Sequence, residues 1–476
     1  METEAVAARN LFISTATHAS NDESWPLPVA TAAGKETVMA SQSTGSSFSR
    51  RGFLGIAGGV ATAVALTACA GGSGSGSTRA IKFWNMPWGG TEFNPLDKKI
   101  TLAYKPKTGS GAATYQAIQW ANFTQTFSSA VASNTGPAVS SGGGTQAFQF
   151  ANQGKIAYAD DLLDSWKKNG IYDDFFDGLV DTMKTDQGYA AVPYNLDVRI
   201  SWYNKTLLEK AGVEPPTDWD SYRKVCAALK KIGVYGFGLG SGAGSFTGSH
   251  ILAAFMINNG GGIFNTDKKP DCVTPENIEA MEYILDLVKS GYSDPASATY
   301  TSANVQSQWK AKKFGFGWDG AGLAAGAVGD VAGDLVVGSP LVSPSGKKGG
   351  LYFPNNIMMY KNTPSQQSSE AFVTYYYQNM KELWTKKTGI GLPPLKSIAD
   401  TPEFKADPNN VKIITEWQPI FKTWAAPGGT GLFYNIANTV DGTAPMSTFA
   451  QSILGGSTDA KKALTALQTS MEGLMK

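Results

Sequence analysis

The stretch Tyr189–Tyr222 reads YAAVPYNLDVRISWYNKTLLEKAGVEPPTDWDSY, and its local chemistry lays out a strand, a second strand and two helices in order. Pro193 has no N–H to give a ladder and ends one strand. Ile200–Asn204 is rich in residues that suit a strand. Gly212 terminates a short helix over Thr206–Lys210, because glycine accepts the left-handed conformation that closes a helix. Pro215-Pro216 keeps the chain extended until Thr217 caps the next helix, with Asp220 three residues on. That helix carries Trp219, Tyr222, Val225, Cys226, Leu229 and Ile232 on one face and stops at Gly233.

Working outward, the same alternation continues. Ala80–Trp84 and Ile100–Tyr104 read as strands, and Tyr115, Ile118, Phe127 and Val131 space a helix around 113–133. Thr274-Pro275 opens a helix that ends at Gly291, with Ile278, Met281, Leu285 and Val288 as its stripe. Ala371–Trp384 forms another. Glycine and serine clusters at 140–144, 236–248 and 258–262 punctuate the chain as loops. Strands separated by helices make this an α/β protein.

The residue counts narrow the function. The 476 residues carry a formal net charge of +1, without the basic excess of a nucleic-acid binder. Two histidines, His18 and His250, exclude a multi-histidine metal site and leave a nucleophilic triad one imidazole in the folded part. Three cysteines do not make a disulfide framework; Cys226 and Cys272 read as free buried thiols by default, and a disulfide between them outside the cytoplasm stays open. There is no Walker loop, CxxC or GxSxG. Gly315-x-Gly-x-x-Gly320 matches a dinucleotide fingerprint formally, but it lies late in the chain with no first strand and helix around it. No catalytic residue, metal or cofactor is assigned, and the chain is read as a non-enzyme.

The N-terminal part reads as an address. Ser49-Arg50-Arg51-Gly52-Phe53-Leu54 resembles the twin-arginine export signal. An apolar stretch from Phe53 to Ala68, too short to span a bilayer, leads into Leu66-Thr67-Ala68-Cys69, which resembles a bacterial lipobox. That resemblance makes 49–68 a signal peptide and Cys69 the lipidated first residue of the mature chain. Residues 1–48 form a dispensable extension, with translation expected to start at Met39. Residues 69–79, rich in glycine and serine, form a flexible linker.

Tyr189–Tyr222 also resembles the signature of family 1 extracellular solute-binding proteins, the maltodextrin-binding type: Val-Pro, a crossing, Trp-Tyr-Asn-Lys, Ala-Gly, then Pro-Pro-Thr-x-Trp. Phe148–Leu163, Phe314–Gly322, Gly349–Tyr360 and Gly391–Lys396 resemble further passages of that family, so the likeness covers roughly 80–476. It implies a two-lobe periplasmic-binding-protein-like fold of type II with a hinge. Lobe 1 would hold 80–194 plus about 356–410, and lobe 2 would hold 197–350 plus about 415–476. It also implies a monomer outside the cytoplasm, held to the outer face of the cell membrane through Cys69, that takes a carbohydrate to an ABC transporter permease. One departure stands out. The family has a full helix between the first two strands, whereas only about fifteen residues separate Trp84 from Ile100, with Pro87, Gly89, Gly90 and Pro95 among them.

A sugar needs an aromatic plate for its C–H face and fixed polar partners for its hydroxyls. Trp84, Asn85 and Trp88 supply both in a loop after the first strand, although Trp84 suits a core position equally. At the crossing, Tyr194 and Asp197 are candidates, and by the resemblance Asp197 is the acidic ligand contact; a hinge ion pair with Arg199 is the other reading. Trp318 and Asp319 sit beside glycines, and Asn355 lies in the second crossing, where a turn or hinge role is equally open. Phe433 and Tyr434 resemble the family's late stacking pair. Gly240–Ser245 is a further wall candidate, and His250 reads as structural. Two other functions remain compatible with the residues: an exported glycoside hydrolase or lyase working through two carboxylates, and a receptor for a non-sugar solute. The address predicts that Cys69→Ser abolishes incorporation of radiolabelled palmitate in a bacterial host with a lipoprotein pathway; labelling that persists would remove the lipid anchor.

Overall fold

The computed structural model describes residues 80–475, apart from 107–110, 121–122, 243–244, 325–328, 362, 430, 433–435, 437–438 and 441–442. The expected start at Met39, the arginine pair, Cys69 with its linker, and Phe433 and Tyr434 all lie outside these residues.

Most strands join one nine-stranded sheet. Its first wing holds β1 (Ile81–Asn85), β2 (Ala113–Ala117), β3 (Val139–Gly142) and β4 (Ile156–Ala157), interleaved with α1 (Phe93–Leu102), α2 (Phe123–Ala132), α3 (Gln146–Asn152) and α4 (Asp160–Asn169). The β1 strand pairs parallel to both β2 and β3. A small hairpin follows, β5 (Lys184–Thr185) against β6 (Gly188–Tyr189). Then comes the long strand β7 (Val192–Asn204), followed by α5 (Lys205–Ala211), α6 (Trp219–Lys231), α7 (Thr247–Asn258), α8 (Pro275–Lys289) and α9 (Ser302–Lys310). The strands β8 (Phe316–Asp319) and β9 (Leu335–Val337) pair with the C-terminal part of β7. The second long strand, β10 (Gly350–Tyr360), runs antiparallel to β7 and then pairs with β3 and β4 of the first wing. The short β11 (Phe421–Lys422) lies beside its N-terminal end.

Two long strands therefore form a neck between two wings of sheet. A third passage follows the helix Gln366–Asn379. Leu392 exchanges both backbone hydrogen bonds with Leu196 at 2.9 Å, and further on Asn409 accepts from Val337 N–H at 2.9 Å. The α/β reading holds, and the two wings with a neck are the form the two-lobe expectation required.

Local differences have local causes. Pro193 does not end its strand: it sits inside β7, where it pairs across to Asn356 beside a register shift. Ile100–Tyr104 is not a strand. Ile100 and Thr101 are buried at the C-terminal end of α1, with Tyr104 just beyond, so the first βα unit has its helix, compressed to ten residues. The spacing of Ile100, Leu102 and Tyr104 fits a strand, but Phe93 and Ile100 lie one heptad apart and face the core together. The helix expected over 113–133 is in fact β2 followed by α2. The cap of α6 is Asp218, not Thr217. The Asp218 carboxylate accepts from Ser221 N–H at 2.7 Å, and Ser221 Oγ accepts from Asp218 N–H at 3.1 Å, closing a capping box. The helix 371–384 starts earlier, at Gln366, and breaks after Asn379. Gly212 does close α5, at φ 68°, and Thr274 does cap α8. Cys226 and Cys272 are buried and unbridged. The Asp218→Ala exchange is expected to cost about 1 kcal/mol in urea unfolding without changing the slope.

Candidate functional site

Strand alternation at the neck selects the site. Successive side chains of β7 point to opposite faces, so Asn195, Asp197 and Arg199 share one face while Tyr194, Leu196 and Val198 share the other. On β10, Phe353 lies opposite Asp197 and Asn355 opposite Asn195. All five residues line one cavity of about 960 Å³. The first wing adds Trp88, Trp120, Phe123 and the glycines after β3, Gly143 and Gly144; the second adds Phe246, His250, Ser302 and Gly320. Gly389 and Gly391, flanking the contact with Leu196, complete the floor. The walls from the first wing follow the C-terminal ends of parallel strands, where ligands bind in open α/β sheets.

One wall is aromatic. Trp88 and Trp120 meet edge to face, with centroids 4.8 Å apart at 86°, and Phe123 continues the row 5.5 Å from Trp120. Each indole N–H is tied back: Trp88 Nε1 donates to Asn85 Oδ1 and Ser141 Oγ, both at 3.0 Å, and Trp120 Nε1 donates to Pro87 O at 3.0 Å. Trp120 still leaves 41% of its surface open. A large aromatic with that exposure beside a cavity can stack against a flat apolar face.

Behind Trp88 lies a polar knot. Asn85 Nδ2 donates to Asp97 at 2.6 Å, Tyr376 hydrogen-bonds Asp97, and the Tyr194 and Tyr376 hydroxyls lie 2.9 Å apart. All four residues are buried. Burial pushes the Asp97 carboxyl up to about 6, against the pull of the Tyr376 and Asn85 hydrogen bonds.

The facing wall is charged but internally compensated. The Arg199 guanidinium grips Asp197 through two hydrogen bonds, 2.6 and 2.9 Å, and donates from Nε to His250 Nδ1 at 3.2 Å. It also lies 4.9 Å over the Phe353 ring. The Arg199 side chain is 12% exposed and that of Asp197 42%, so the carboxylate is the more open partner of the pair. Asn355 donates to Asn195 Oδ1 at 3.0 Å, while the buried Asn195 Nδ2 has no partner among the described residues. Asp319 accepts from Gly320 N–H at 2.7 Å. Burial raises its carboxyl to about 6, opposed by that amide and by Arg199 and reinforced by Asp197.

Of the sequence candidates, Trp88, Asp197 and Asn355 come together on the cavity wall. Asn85 and Tyr194 do not; they belong to the knot that holds Trp88, and Tyr194 has the wrong strand parity to face the cavity. Trp84 packs 5.5 Å from Phe127 on the α2 side of the sheet. Trp318 is 4% exposed, in an aromatic cluster with Tyr222, Phe237, Phe255 and Phe316, and it is a core residue here. Asp319 stands beside the wall, which continues at Gly320. Of Gly240–Ser245, residues 243–244 are outside the described set and none of the others lines the cavity. The reading missed Trp120, Phe246, Phe353 and Arg199 as wall residues and took His250 as structural. Trp120 was discernible: it follows β2 as Trp88 follows β1.

With this geometry in view, comparison with known proteins places the chain. Residues 92–381 match the family described as bacterial extracellular solute-binding proteins, and the chain belongs to that family. A solved sugar transporter from Arthrobacter chlorophenolicus A6, with bound laminaribiose, is 51% identical, covering 84% of this chain and all of that one with a TM-score of 0.77. The cyclic alpha-maltosyl-1,6-maltose binding protein of Arthrobacter globiformis shares the fold at 20% identity and a TM-score of 0.67, over 84% of this chain and 99% of that one. The Escherichia coli K12 protein YcjN, whose name marks it as a periplasmic-binding protein of an ABC transporter, is 24% identical over 63% of this chain and 71% of its own. No helix among the described residues is long and apolar enough to cross a membrane.

A carboxyl raised by burial stabilises the fold when protonated; that contribution is present below its unfolded value and is lost as pH rises through about 6. Asp319→Asn keeps the acceptor for Gly320 N–H without the ionisation. It is expected to be more stable than the parent by about 1–3 kcal/mol at pH 8 and to lose that advantage near pH 4, in urea melts across the range.

Proposed function

We propose that the chain is the extracytoplasmic receptor of an ABC importer that captures a carbohydrate, with a short β-1,3-linked glucoside of the laminaribiose type as the leading ligand. The observation that carries this is the cavity at the neck, with Trp88 and Trp120 on one side and the Asp197–Arg199 pair on the other. An edge-to-face indole pair offers a plate to a sugar's C–H face, and a fixed carboxylate with neighbouring amides serves its hydroxyls. The bound laminaribiose in the 51% identical protein supports that ligand class.

Two further features favour an uncharged ligand that is bound rather than cleaved. Among the described residues lining the cavity, Asp197 is the only carboxylate, and it is already paired with Arg199, the only lysine or arginine of that set. A glycosidase would need two carboxylates across the bond, and an anion or polyamine receptor would need an unbalanced charge. Capture works by hinge closure: ligand touching both wings favours the closed form by the difference in its affinity for the two forms, and the closed form is what a permease would recognise. The division into lobe 1 (80–194 with about 356–410) and lobe 2 (197–350 with about 415–476) is the matching proposal for the moving parts. So are monomeric action and anchoring through Cys69.

Calorimetric titration with laminaribiose, maltose, a tripeptide and spermidine tests the reading. Laminaribiose is expected to bind without turnover and to raise the melting temperature. Trp120→Ala should weaken it by about tenfold, the order of a lost aromatic contact. Binding of the peptide or polyamine alone, or hydrolysis of the sugar, would overturn it.

A further inference from the structure

His250 lies on α7, in the second wing, while Arg199 lies on the neck strand β7. A directional hydrogen bond links them: Arg199 Nε–H donates and His250 Nδ1 accepts, at 3.2 Å. A guanidinium has donors only, so this bond exists only if Nδ1 carries a lone pair. Neutral His250 must then hold its proton on Nε2. The imidazole is 5% exposed, 4.5 Å from the Phe353 ring and 5.5 Å from that of Trp424, so it has little room to turn and offer another atom.

The geometry points to His250 as the positioning residue for the ligand-facing carboxylate. Arg199 has to aim both terminal nitrogens at Asp197, and a flexible side chain does so only when its other end is fixed. Phe353 beneath the guanidinium plane and His250 at Nε supply that fixing from two different elements, β10 and α7. Asp197, gripped in this way, keeps 42% of its side chain open to the cavity. The chain His250–Arg199–Asp197 therefore connects a helix of the second wing, through the neck, to the acceptor presented to the ligand.

The proposal rests on the sugar-receptor reading for its ligand, but the tautomer stands apart from it. Among the described residues, the ionisable groups facing the pair include Asp197 on the same strand and Asp319 at the end of β8; α7 has no other ionisable side chain, and the rings of Phe246, Phe353 and Trp424 also lie against the imidazole. A proton on Nδ1 would put a donor against a donor and a second cation against Arg199.

Two measurements decide it. In the full chain carrying His18→Gln, long-range nitrogen-15 NMR without ligand is expected to show His250 as the Nε2–H tautomer at neutral pH; the Nδ1–H tautomer would overturn the proposal whatever the ligand. In titrations with laminaribiose, His250→Leu, which keeps bulk but removes the acceptor, should weaken binding by about tenfold. His250→Asn, which returns an acceptor near the Nδ1 position, should recover most of that loss. No loss in His250→Leu, or an equal loss in His250→Asn, would refute the role. If laminaribiose does not bind the parent at all, the sugar reading fails, and the NMR tautomer still decides the place of His250.

Discussion

The antiparallel pairing of β7 with β10 is the constraint on which the site depends. Two long strands hydrogen-bonded side by side present one residue in two to each face. The cross-strand partners Asp197/Phe353 and Asn195/Asn355 therefore reach the cavity together. The same pairing gives the wings their connection, since β3 and β4 join β10 while β8 and β9 join β7. A register slip of one residue would turn Asp197 and Arg199 into the core and bring Tyr194 and Val198 to the ligand. The ladder slips once, between Asn355 and Asn356, beside Pro193, which has no N–H for the ladder. That irregularity lies next to the cavity-lining Asn195 and Asn355, a position in which ladder irregularities re-aim side chains.

The aromatic wall depends on a second, independent device. Trp88 is held by a hydrogen bond to Asn85, and Asn85 is held by Asp97, whose other oxygen takes the Tyr376 hydroxyl. A carboxyl placed under the sheet, away from water, is costly unless its acceptors are filled. Here they are filled by residues from β1 and from the helix Gln366–Asn379. The knot thus sits between the stacking plate and the first wing's core, and it explains why Asn85 and Tyr194 resemble site residues in composition without reaching the ligand space.

What could be read from the sequence follows from the range of the interactions involved. Gly212 and Thr274 act within one turn of helix and were read correctly. Asp218 in place of Thr217 is a one-residue difference, decided by which side chain meets Ser221 N–H. The strand read at Ile100–Tyr104 failed because Ile100, Leu102 and Tyr104 mimic a period of two, whereas Ile100 packs in the core on the helix face of Phe93 and Leu102 is left exposed. Trp318 was misplaced for a related reason. A tryptophan beside glycines suits a cavity lip, but Gly317 lies against the backbone of Gly238, which draws the strand inward and seats the indole among Tyr222, Phe237 and Phe255. Trp120 and Phe246 reach the cavity from elements 126 residues apart in the chain, a proximity no local pattern encodes.

The placement of charge ties these parts to the ligand class. A cavity floor with one free carboxylate would attract cations, and one with a free guanidinium would attract anions. The Asp197–Arg199 pair presents neither, yet it leaves carboxylate lone pairs directed outward. Asn195 and Asn355 add amide groups without net charge. The pair is partly covered, so water screens it less than it would an exposed salt bridge, and its orientation is fixed by contacts from β10 and α7 rather than by the pair alone. A receptor that must bind firmly and still release needs polar partners set in place before the ligand arrives, because little ordering then remains to oppose binding. The paired strands of the neck supply that preset geometry, and in the proposed hinge closure the wings, each built around its own end of β7 and β10, would be the parts that move about it.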